Sequence, residues 1–470
     1  MLRFVLNNGA VEVATHSGLP TLDYLRDNAR LTGVKHACRE GDCGSCVVLV
    51  GRPVAGAVKY QVVTSCLLPM GAVEGRHLVT VEGLNSTELG PFQSAIASEG
   101  GSQCGFCTPG FVVTFTGHLL ETENWNIEDA VEAVAGNICR CTGYASIRRA
   151  MEEVLGRLRE RVDPAENRVP ALVREGFLPE YFLGVGKLLA GLAPAAHPPL
   201  SPSQRVVAGG TDLYVQQPDE LATGDVWVLP VGSERPVWRD GDSIYLAATA
   251  TAEDVKRSTL LGEAVGDLDH AMALMGSLPI RRRATIAGNI VNASPIGDMT
   301  IVLLALDSDV GLVRGDVRRS LPLREFFRGY KVIDLEPGEL VEWVRFAVPP
   351  DGSVFNFEKV SKRTHLDIAS VNSAASIRVE NGRITAACLS AGGVAPVPSQ
   401  LTRTAAFLLG KAPDAATARN AASIAREEVV PISDVRGSAD YKRLLLGQLV
   451  LAHFNVLFGL EAGLLEEVAG

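Results

Sequence analysis

The stretch "CREGDCGSC", Cys38 to Cys46, places three thiols within nine residues and separates them with two glycines. With Cys66 it reads C-x4-C-x2-C and a distant fourth cysteine, which is the plant-type spacing of a two-iron, two-sulfide cluster. Gly41 and Gly44 permit a loop that wraps a compact inorganic core and lets backbone amides approach the sulfurs. A four-cysteine zinc site is the alternative, but it usually presents two C-x2-C knuckles. This first quartet therefore favours a 2Fe-2S cluster.

A second group of four thiols follows as Cys104-x2-Cys107 and Cys139-x-Cys141. Its spacing alone allows either a zinc ion or a second cluster. Eight of the nine cysteines lie in the first 141 residues, and we expect no disulfides in a reducing compartment. The ninth, Cys388, stands in the apolar run "ITAACLSAGG" and is predicted to be a buried core thiol.

Composition limits the class of protein. A chain of 470 residues suggests about three domains, at roughly 150 residues each. With 47% hydrophobic and 21% charged residues it resembles a folded enzyme, and a net charge of −10 argues against nucleic-acid binding. Polar residues interrupt both the N-terminal "MLRFVLNNG" and the apolar window 444–460, which predicts a helix for the window and no signal peptide or membrane span. We expect a cytoplasmic protein.

The surroundings of the first quartet predict a small α+β domain of ferredoxin type over residues 1–84. Alternation on both sides of Asn8-Gly9 indicates a hairpin. A helix is expected from Thr21 to about Arg30, and the run "CVVLV" reads as a strand.

The second quartet lies in a region, residues 85–161, whose pattern is helical. Pro91 suits a first helical position, Asn126 can cap "IEDAVEAVA", and residues 145–161 read as a long charged helix. A polar connector is expected at 162–175, and a Pro-rich stretch covers 193–204.

Two later segments suggest a phosphate-bearing cofactor. In "RVVAGGTDL" a strand over 205–208 leads to Gly209-Gly210, whose amides can approach a pyrophosphate, although an ordinary turn is the alternative. In "TIAGNIVNASPIGD", which starts at Thr285, Gly288-Asn289 is predicted to form a turn. No Rossmann fingerprint competes, since "GVGKLLAG" lacks the glycine register and is predicted to be a helix.

The motifs "EGDCGSC", "GSQCGFCTPGF" and "GNICRCTGY", in this order, resemble the two iron-sulfur domains of the molybdenum hydroxylases, the family of xanthine dehydrogenase and aldehyde oxidase. A departure is Ala37, where members of the family often have glycine. The resemblance implies that both quartets hold 2Fe-2S clusters. The implied ligands are Cys38, Cys43, Cys46, Cys66, Cys104, Cys107, Cys139 and Cys141.

The segments "VVAGGTDL" and "TIAGNIVNASPIGD" resemble the FAD domain of the same family. The implied FAD contacts are Val206, Val207, Ala208, Gly209, Gly210, Thr211, Asp212, Leu213, Thr285, Ile286, Ala287, Gly288, Asn289, Asp298, Leu335 and Lys359. Gln103, beside Cys104, would lie on the molybdopterin side, or it is simply an exposed loop amide.

The whole chain resembles the small subunit of bacterial xanthine dehydrogenases. This implies a multidomain α+β fold, with a β-grasp 2Fe-2S domain (1–84), a four-helix 2Fe-2S domain (85–161), an FAD-binding domain (176–348) and a C-terminal flavoprotein domain (349–470). It also implies electron transfer from a molybdopterin-binding large subunit to FAD and then NAD, in an α2β2 complex. The hydroxylation site is expected on the partner, so no catalytic residue is assigned here.

Other functions stay open from the sequence. The chain would also suit a stand-alone NADH:acceptor reductase or, less simply, an iron-sulfur redox sensor, which would not need two flavin segments. The substrate of the partner could be xanthine, another N-heterocycle or an aldehyde. His365 and Leu366 stand where some relatives carry acidic residues beside the flavin, so oxygen is an alternative acceptor to NAD.

Overall fold

The computed structural model describes residues 1–192, 200–201, 203–266 and 268–460. The chain divides into two compact units, which are described separately below. The first unit is Met1–Pro230 with Gly276–Arg283, and the second is Val231–Met275 with Ala284–Gly470. Most of the Pro-rich stretch lies outside the described residues, since they omit 193–199 and 202.

The first unit is built on a mixed sheet with the strand order β2-β1-β5-β3-β4. β1 pairs antiparallel with β2 and parallel with β5, while β3 pairs antiparallel with β4 and β5. A separate parallel pair, β6 and β7, follows later in the chain. The strands are β1 Leu2–Leu6, β2 Gly9–Val13, β3 Val47–Val54, β4 Ala57–Thr64, β5 His77–Val79, β6 Arg205–Val207 and β7 Val226–Val228.

The first hairpin forms as predicted, but its turn lies one residue earlier. Leu6 pairs with Gly9, so the turn residues are Asn7 and Asn8. Asn7 has a φ of +52°, a conformation that asparagine tolerates better than most residues. Its side-chain Oδ1 accepts a hydrogen bond from the Thr80 amide at 3.0 Å, and this long-range contact decides the turn position.

Helices pack against this sheet and confirm most of the predicted pattern. α2 begins at Pro91, α4 is capped by Asn126, and α5 spans the predicted residues. Much of the predicted polar connector is instead helical, because Ala171 and Leu172 of α6 are fully buried. The helices are α1 Thr21–Asp23, which continues as a π-helix Tyr24–Asn28, then α2 Pro91–Ser98, α3 Thr108–Glu121, α4 Ile127–Val134, α5 Ala145–Arg161, α6 Arg168–Arg174, α7 Val185–Ala190, α8 Leu213–Gln216 and α9 Pro218–Thr223.

α3 packs directly on β3 and β4, which joins the helical part to the sheet. Phe111 and Phe115 of α3 are at most 1% exposed and share an apolar core with strand residues such as Leu49. At Gly117 a Cβ atom would lie 2.2 Å from Val62 Cγ2, so only glycine lets the helix approach this closely. The two predicted iron-sulfur domains therefore share one core.

The second unit contains two larger sheets. One has the order β11-β10-β14-β9-β8, the other β15-β16-β17-β18, and β12 and β13 form a short hairpin. The strands are β8 Val237–Asp240, β9 Ser243–Ala247, β10 Asp309–Arg314, β11 Val317–Pro322, β12 Phe327–Gly329, β13 Val332–Ile333, β14 Leu340–Ala347, β15 Ser353–Val360, β16 Val371–Glu380, β17 Arg383–Gly392 and β18 Ser399–Gln400.

Helices complete the second unit. α15 lies against β16 and β17, and α18 and α19 pack together beside the same sheet. The remaining helices are α10 Ala252–Lys256, α11 Thr259–Val265, α12 Leu268–Ala273, α13 Leu278–Arg281, which belongs to the first unit, α14 Ile286–Val291, α15 Asp298–Ala305, α16 Leu323–Phe326, α17 Thr402–Leu408, α18 Ala415–Glu428 and α19 Ala439–Phe458. α19 confirms the predicted terminal helix. No described helix has the length and apolar character needed to cross a membrane.

Candidate cofactor sites

The thiols of the first quartet meet as two pairs. A hydrogen bond joins Cys38 to Cys43, and another joins Cys46 to Cys66. The bond from Cys38 lowers the pKa of the Cys43 thiol to about 4, and the bond from Cys66 lowers the pKa of Cys46. Backbone amides approach the sulfurs as the glycine pattern predicts, since the Glu40 amide lies 3.4 Å from Cys38 Sγ.

The second quartet has the same paired arrangement. The Sγ atoms of Cys104 and Cys141 are 3.6 Å apart, and Cys107 is hydrogen-bonded to Cys139. Burial and that hydrogen bond raise the pKa of the Cys107 thiol to about 12. Thr142 Oγ1 lies 3.2 Å from Cys139 Sγ and holds it from the other side.

Two pairs per quartet fit a two-iron cluster better than a zinc ion. A structural zinc ion needs four ligands directed at one point. A 2Fe-2S cluster distributes its four thiolates over two irons. The donor sets therefore fit the clusters, and each cysteine's role as a ligand remains a proposal.

The two loops are joined by one backbone hydrogen bond and one side-chain hydrogen bond, neither of which the sequence indicates. The Ile138 amide donates to the Cys43 carbonyl at 3.0 Å, and Asn137 Nδ2 donates to the Gly44 carbonyl at 3.1 Å. Ile138 directly precedes Cys139, so this hydrogen bond connects the backbone of one predicted ligand to the residue beside another. The only sequence feature that could have indicated this link is Asn137, which lies two residues before Cys139.

The quartets differ in exposure. Cys46 and Cys66 are buried, whereas Cys104 and Cys141 are exposed. Two large side chains near the second quartet, Phe106 and Tyr144, are 44% and 45% exposed. Gln103 is exposed as well, and its Nε2 donates to the Cys141 carbonyl at 3.3 Å, so it is attached to the second quartet's loop.

Residues 206–213, the first predicted flavin segment, form the end of β6, a tight turn and α8 in the first unit. Gly210 has a φ of +81°, and a Cβ there would lie 2.7 Å from the Leu67 carbonyl oxygen. Leu67 follows the predicted ligand Cys66, so this loop lies against the first quartet's own chain. Arg283, which the sequence reading passed over, donates to the carbonyls of Ala208 and Gly209.

The other predicted flavin residues belong to the second unit. The expected turn at Gly288-Asn289 is wrong, because both residues lie inside α14, which Thr285 caps by accepting from the Gly288 amide at 3.0 Å. A glycine favours a turn, but Thr285, three residues earlier, is a helix-capping signal. Ile286 and Ala287 belong to the first turn of this helix, and Ile286 is 1% exposed.

Asp298 and Lys359 contact each other. Lys359 Nζ lies 2.7 Å from Asp298 Oδ2 and also donates to the Leu274 carbonyl at 2.9 Å. Asn372 Nδ2 donates to the other oxygen of Asp298 at 2.6 Å. Leu335 is half-buried between β13 and β14. The FAD role of all these residues stays a proposal.

Cys388, on β17, is half-buried rather than fully buried. Its Sγ donates to the Leu304 carbonyl at 3.3 Å, and Gln400 Nε2 lies 3.4 Å from it. Burial raises the pKa of this thiol to about 12, which makes it a poor nucleophile.

Four protein-family models match the chain in order. Residues 4–70 match a 2Fe-2S iron-sulfur cluster binding domain and residues 80–152 a [2Fe-2S] binding domain. Residues 187–349 match an FAD binding domain in molybdopterin dehydrogenase, and 357–456 a CO dehydrogenase flavoprotein C-terminal domain. The chain therefore has two 2Fe-2S domains, an FAD-binding domain and a C-terminal flavoprotein domain, which confirms the predicted fold class and the predicted 2Fe-2S and FAD cofactors.

Known proteins that are similar to this chain differ in their named substrates. Xanthine dehydrogenase of Drosophila subobscura is 28% identical over 91% of this chain, and the match spans 37% of that longer protein. CO dehydrogenase from Oligotropha carboxidovorans is 26% identical, with a TM-score of 0.50 over 53% of this chain and 88% of its own. Quinoline 2-oxidoreductase from Pseudomonas putida 86 is 25% identical, with a TM-score of 0.50 over 56% and 92%. These similar proteins act on different named substrates, so the similarity does not indicate one substrate for this chain.

Proposed function

We propose that this chain is the electron-transfer subunit of a molybdenum hydroxylase, most simply a xanthine dehydrogenase. The observation that supports this best is continuity within the first unit. The exposed second quartet is joined to the first by the Ile138-to-Cys43 hydrogen bond, and the flavin loop lies against Leu67, next to Cys66. Each of the three proposed cofactor segments thus contacts the next.

The exposure of the thiols indicates which end of this proposed electron-transfer path faces a partner protein. Cys104 and Cys141 lie at the surface, where a second protein can approach them, and Gln103 is attached to the same loop. In this proposal that surface faces a large subunit that carries molybdopterin and hydroxylates the substrate. When bound, 2Fe-2S clusters carry single electrons, and FAD accepts single electrons and donates a hydride to NAD.

The acceptor and the substrate are the finer parts of the proposal. His365, whose Nδ1 donates to the Ala273 carbonyl at 3.1 Å, is exposed. We propose NAD as acceptor, with oxygen as the alternative, and hypoxanthine and xanthine as substrates of the partner, with another N-heterocycle or an aldehyde as the alternative. The complex is proposed to contain two copies of each subunit.

Expression with and without the neighbouring large-subunit gene tests the assignment. Alone, the chain should contain about four iron, about four sulfide and one FAD, and should pass electrons from NADH to a dye without hydroxylating xanthine. With the large subunit, xanthine should reduce NAD. Hydroxylation by the isolated chain, or full activity that no partner changes, would contradict the proposal and favour a stand-alone reductase.

A further inference from the structure

Three successive arginines, Arg281 to Arg283, end the segment that returns to the first unit, and all three are buried. The first two are paired with carboxylates: Arg281 lies 3.2 Å from Glu132, and Arg282 contacts Glu121. Arg283 has no ion pair with any carboxylate in the described part of the chain. A buried cation without a counterion is costly and is retained where another partner compensates it.

The partners of Arg283 are two carbonyls of the flavin loop. Its Nε donates to the Gly209 oxygen at 3.2 Å, and its Nη2 donates to the Ala208 oxygen at 3.1 Å. In a planar trans peptide the N–H points opposite to the C=O. The amides of Gly209 and Gly210 therefore both point away from Arg283, which is the arrangement that binds anions.

The loop has little freedom to adopt another arrangement. Gly210 has a positive φ, and its carbonyl accepts from the Tyr214 amide at 3.0 Å. Tyr214 is itself fixed, since its hydroxyl donates to the Gly18 carbonyl at 2.6 Å. Arg283 thus completes a loop whose other end is already held.

We propose that Arg283 is a positioning residue for the FAD pyrophosphate. It orients two consecutive amides through their carbonyls, and its buried charge is balanced by the diphosphate when FAD binds. Although burial lowers the pKa of Arg283 to about 9, the side chain stays charged at neutral pH. This inference rests on the proposed FAD role of residues 206–213.

The test measures binding of FAD, ADP and adenosine, in competition with one another, to protein that contains its iron-sulfur clusters but no flavin. In the unchanged protein ADP should displace FAD much better than adenosine, because only ADP carries the diphosphate. Arg283→Met should weaken FAD and ADP binding at least tenfold and leave adenosine unchanged. Arg282→Met is the matched control, since it removes the neighbouring buried arginine, which is paired with Glu121, and its ADP-to-adenosine ratio should not change.

The outcomes separate the two proposals. If the unchanged protein binds no FAD, the proposed function fails. The positioning role is wrong if the unchanged protein binds FAD and Arg283→Met binds FAD and ADP as tightly as the unchanged protein does. It is also wrong if Arg283→Met weakens adenosine binding as much as it weakens FAD and ADP binding. Iron content reports folding of the same unit, and Arg283→Lys, which keeps the charge but cannot bridge two carbonyls, should keep its iron and still lose ADP preference. Loss of iron in both variants would make Arg283 a folding residue and overturn the inference.

Discussion

In the first quartet the thiols of Cys46 and Cys66 are buried beneath the sheet's loops, whereas in the second those of Cys104 and Cys141 are exposed. Both have four thiols in two pairs, so the difference lies in what surrounds them. The glycines show it clearly: a Cβ on Gly44 would lie 2.6 Å from Asn137 Nδ2, while a Cβ on Gly143 would meet nothing within 4 Å. Two thiols of the first quartet are therefore enclosed by the fold, whereas two thiols of the second quartet lie at its surface.

The largest expected effect comes from removing one thiol in each quartet. Cys66→Ser and Cys141→Ser should each lower iron from about four to about two per chain. Only Cys66→Ser should also destabilise the iron-free protein, by about 1–3 kcal/mol, because it buries a hydroxyl in an apolar site. Iron analysis and chemical unfolding measure both effects. Cys388→Ser is the control and should keep about four irons. Full iron content in Cys141→Ser would contradict the proposal that Cys141 is a cluster ligand.

Alanine substitution of one glycine in each cysteine loop compares how tightly the two loops are packed. Gly44 and Gly143 have nearly equal φ values, +66° and +67°. An alanine at either position costs about 1 kcal/mol of backbone strain, but at Gly44 the clash with Asn137 and Gly136 should raise the total to about 3 kcal/mol. Hydrogen exchange of the amides in each loop measures the difference. Equal costs for the two substitutions would show that the first loop is no more tightly packed than the second.

Acid should weaken the sheet that carries the first quartet before it weakens the helices. His77 is fully buried between the Tyr60 hydroxyl and the Asn7 carbonyl, and burial lowers its pKa to about 4. The unfolded chain binds a proton near pH 6.5, so this stability is complete above that pH and is lost on acidification, by about 2 kcal/mol at pH 5.

Hydrogen exchange of β5 at pH 7 and pH 5, corrected for intrinsic rates, measures this loss. His77→Gln should remove that share of the pH dependence, while exchange in α5 serves as the internal reference. A β5 whose protection is the same at both pH values would contradict the expectation.

The smallest expected effect belongs to the helical part alone. Asn126 Oδ1 accepts from the Glu128 amide at 2.8 Å and caps α4. Asn126→Ala should destabilise this helix by about 1 kcal/mol, whereas Asn126→Asp keeps the cap and should change little. Local hydrogen exchange in α4 reports the change, and an equal loss with aspartate would mean that the cap contributes nothing.

The sequence predictions hold where the structure depends on residues that are close together in the chain. The cysteine spacing, the cap at Asn126 and the proline at the start of α2 were all read correctly, since each acts within a few residues. The hairpin turn and the turn predicted at Gly288 were misplaced, because a contact from Thr80 and a cap from Thr285 decided them.

The sequence pattern does not predict that the charged side chains of Arg281 to Arg283 are buried. A run of three arginines normally marks a solvated surface, and only the fold brings Glu132 and Glu121 to Arg281 and Arg282. The link between Ile138 and Cys43 was hidden for the same reason, since its partners are far apart in the chain.

The return of residues 276–283 to the first unit has a consequence for biosynthesis. A ribosome completes Met1–Pro230 and must then make the whole of Val231–Met275, at about 5–20 residues per second, before Arg283 exists. Until then Ala208 and Gly209 lack their donor, and Glu121 and Glu132 lack their arginines. The nascent first unit is therefore unfinished for several seconds, and a truncation before residue 276 should yield a chain that cannot close it.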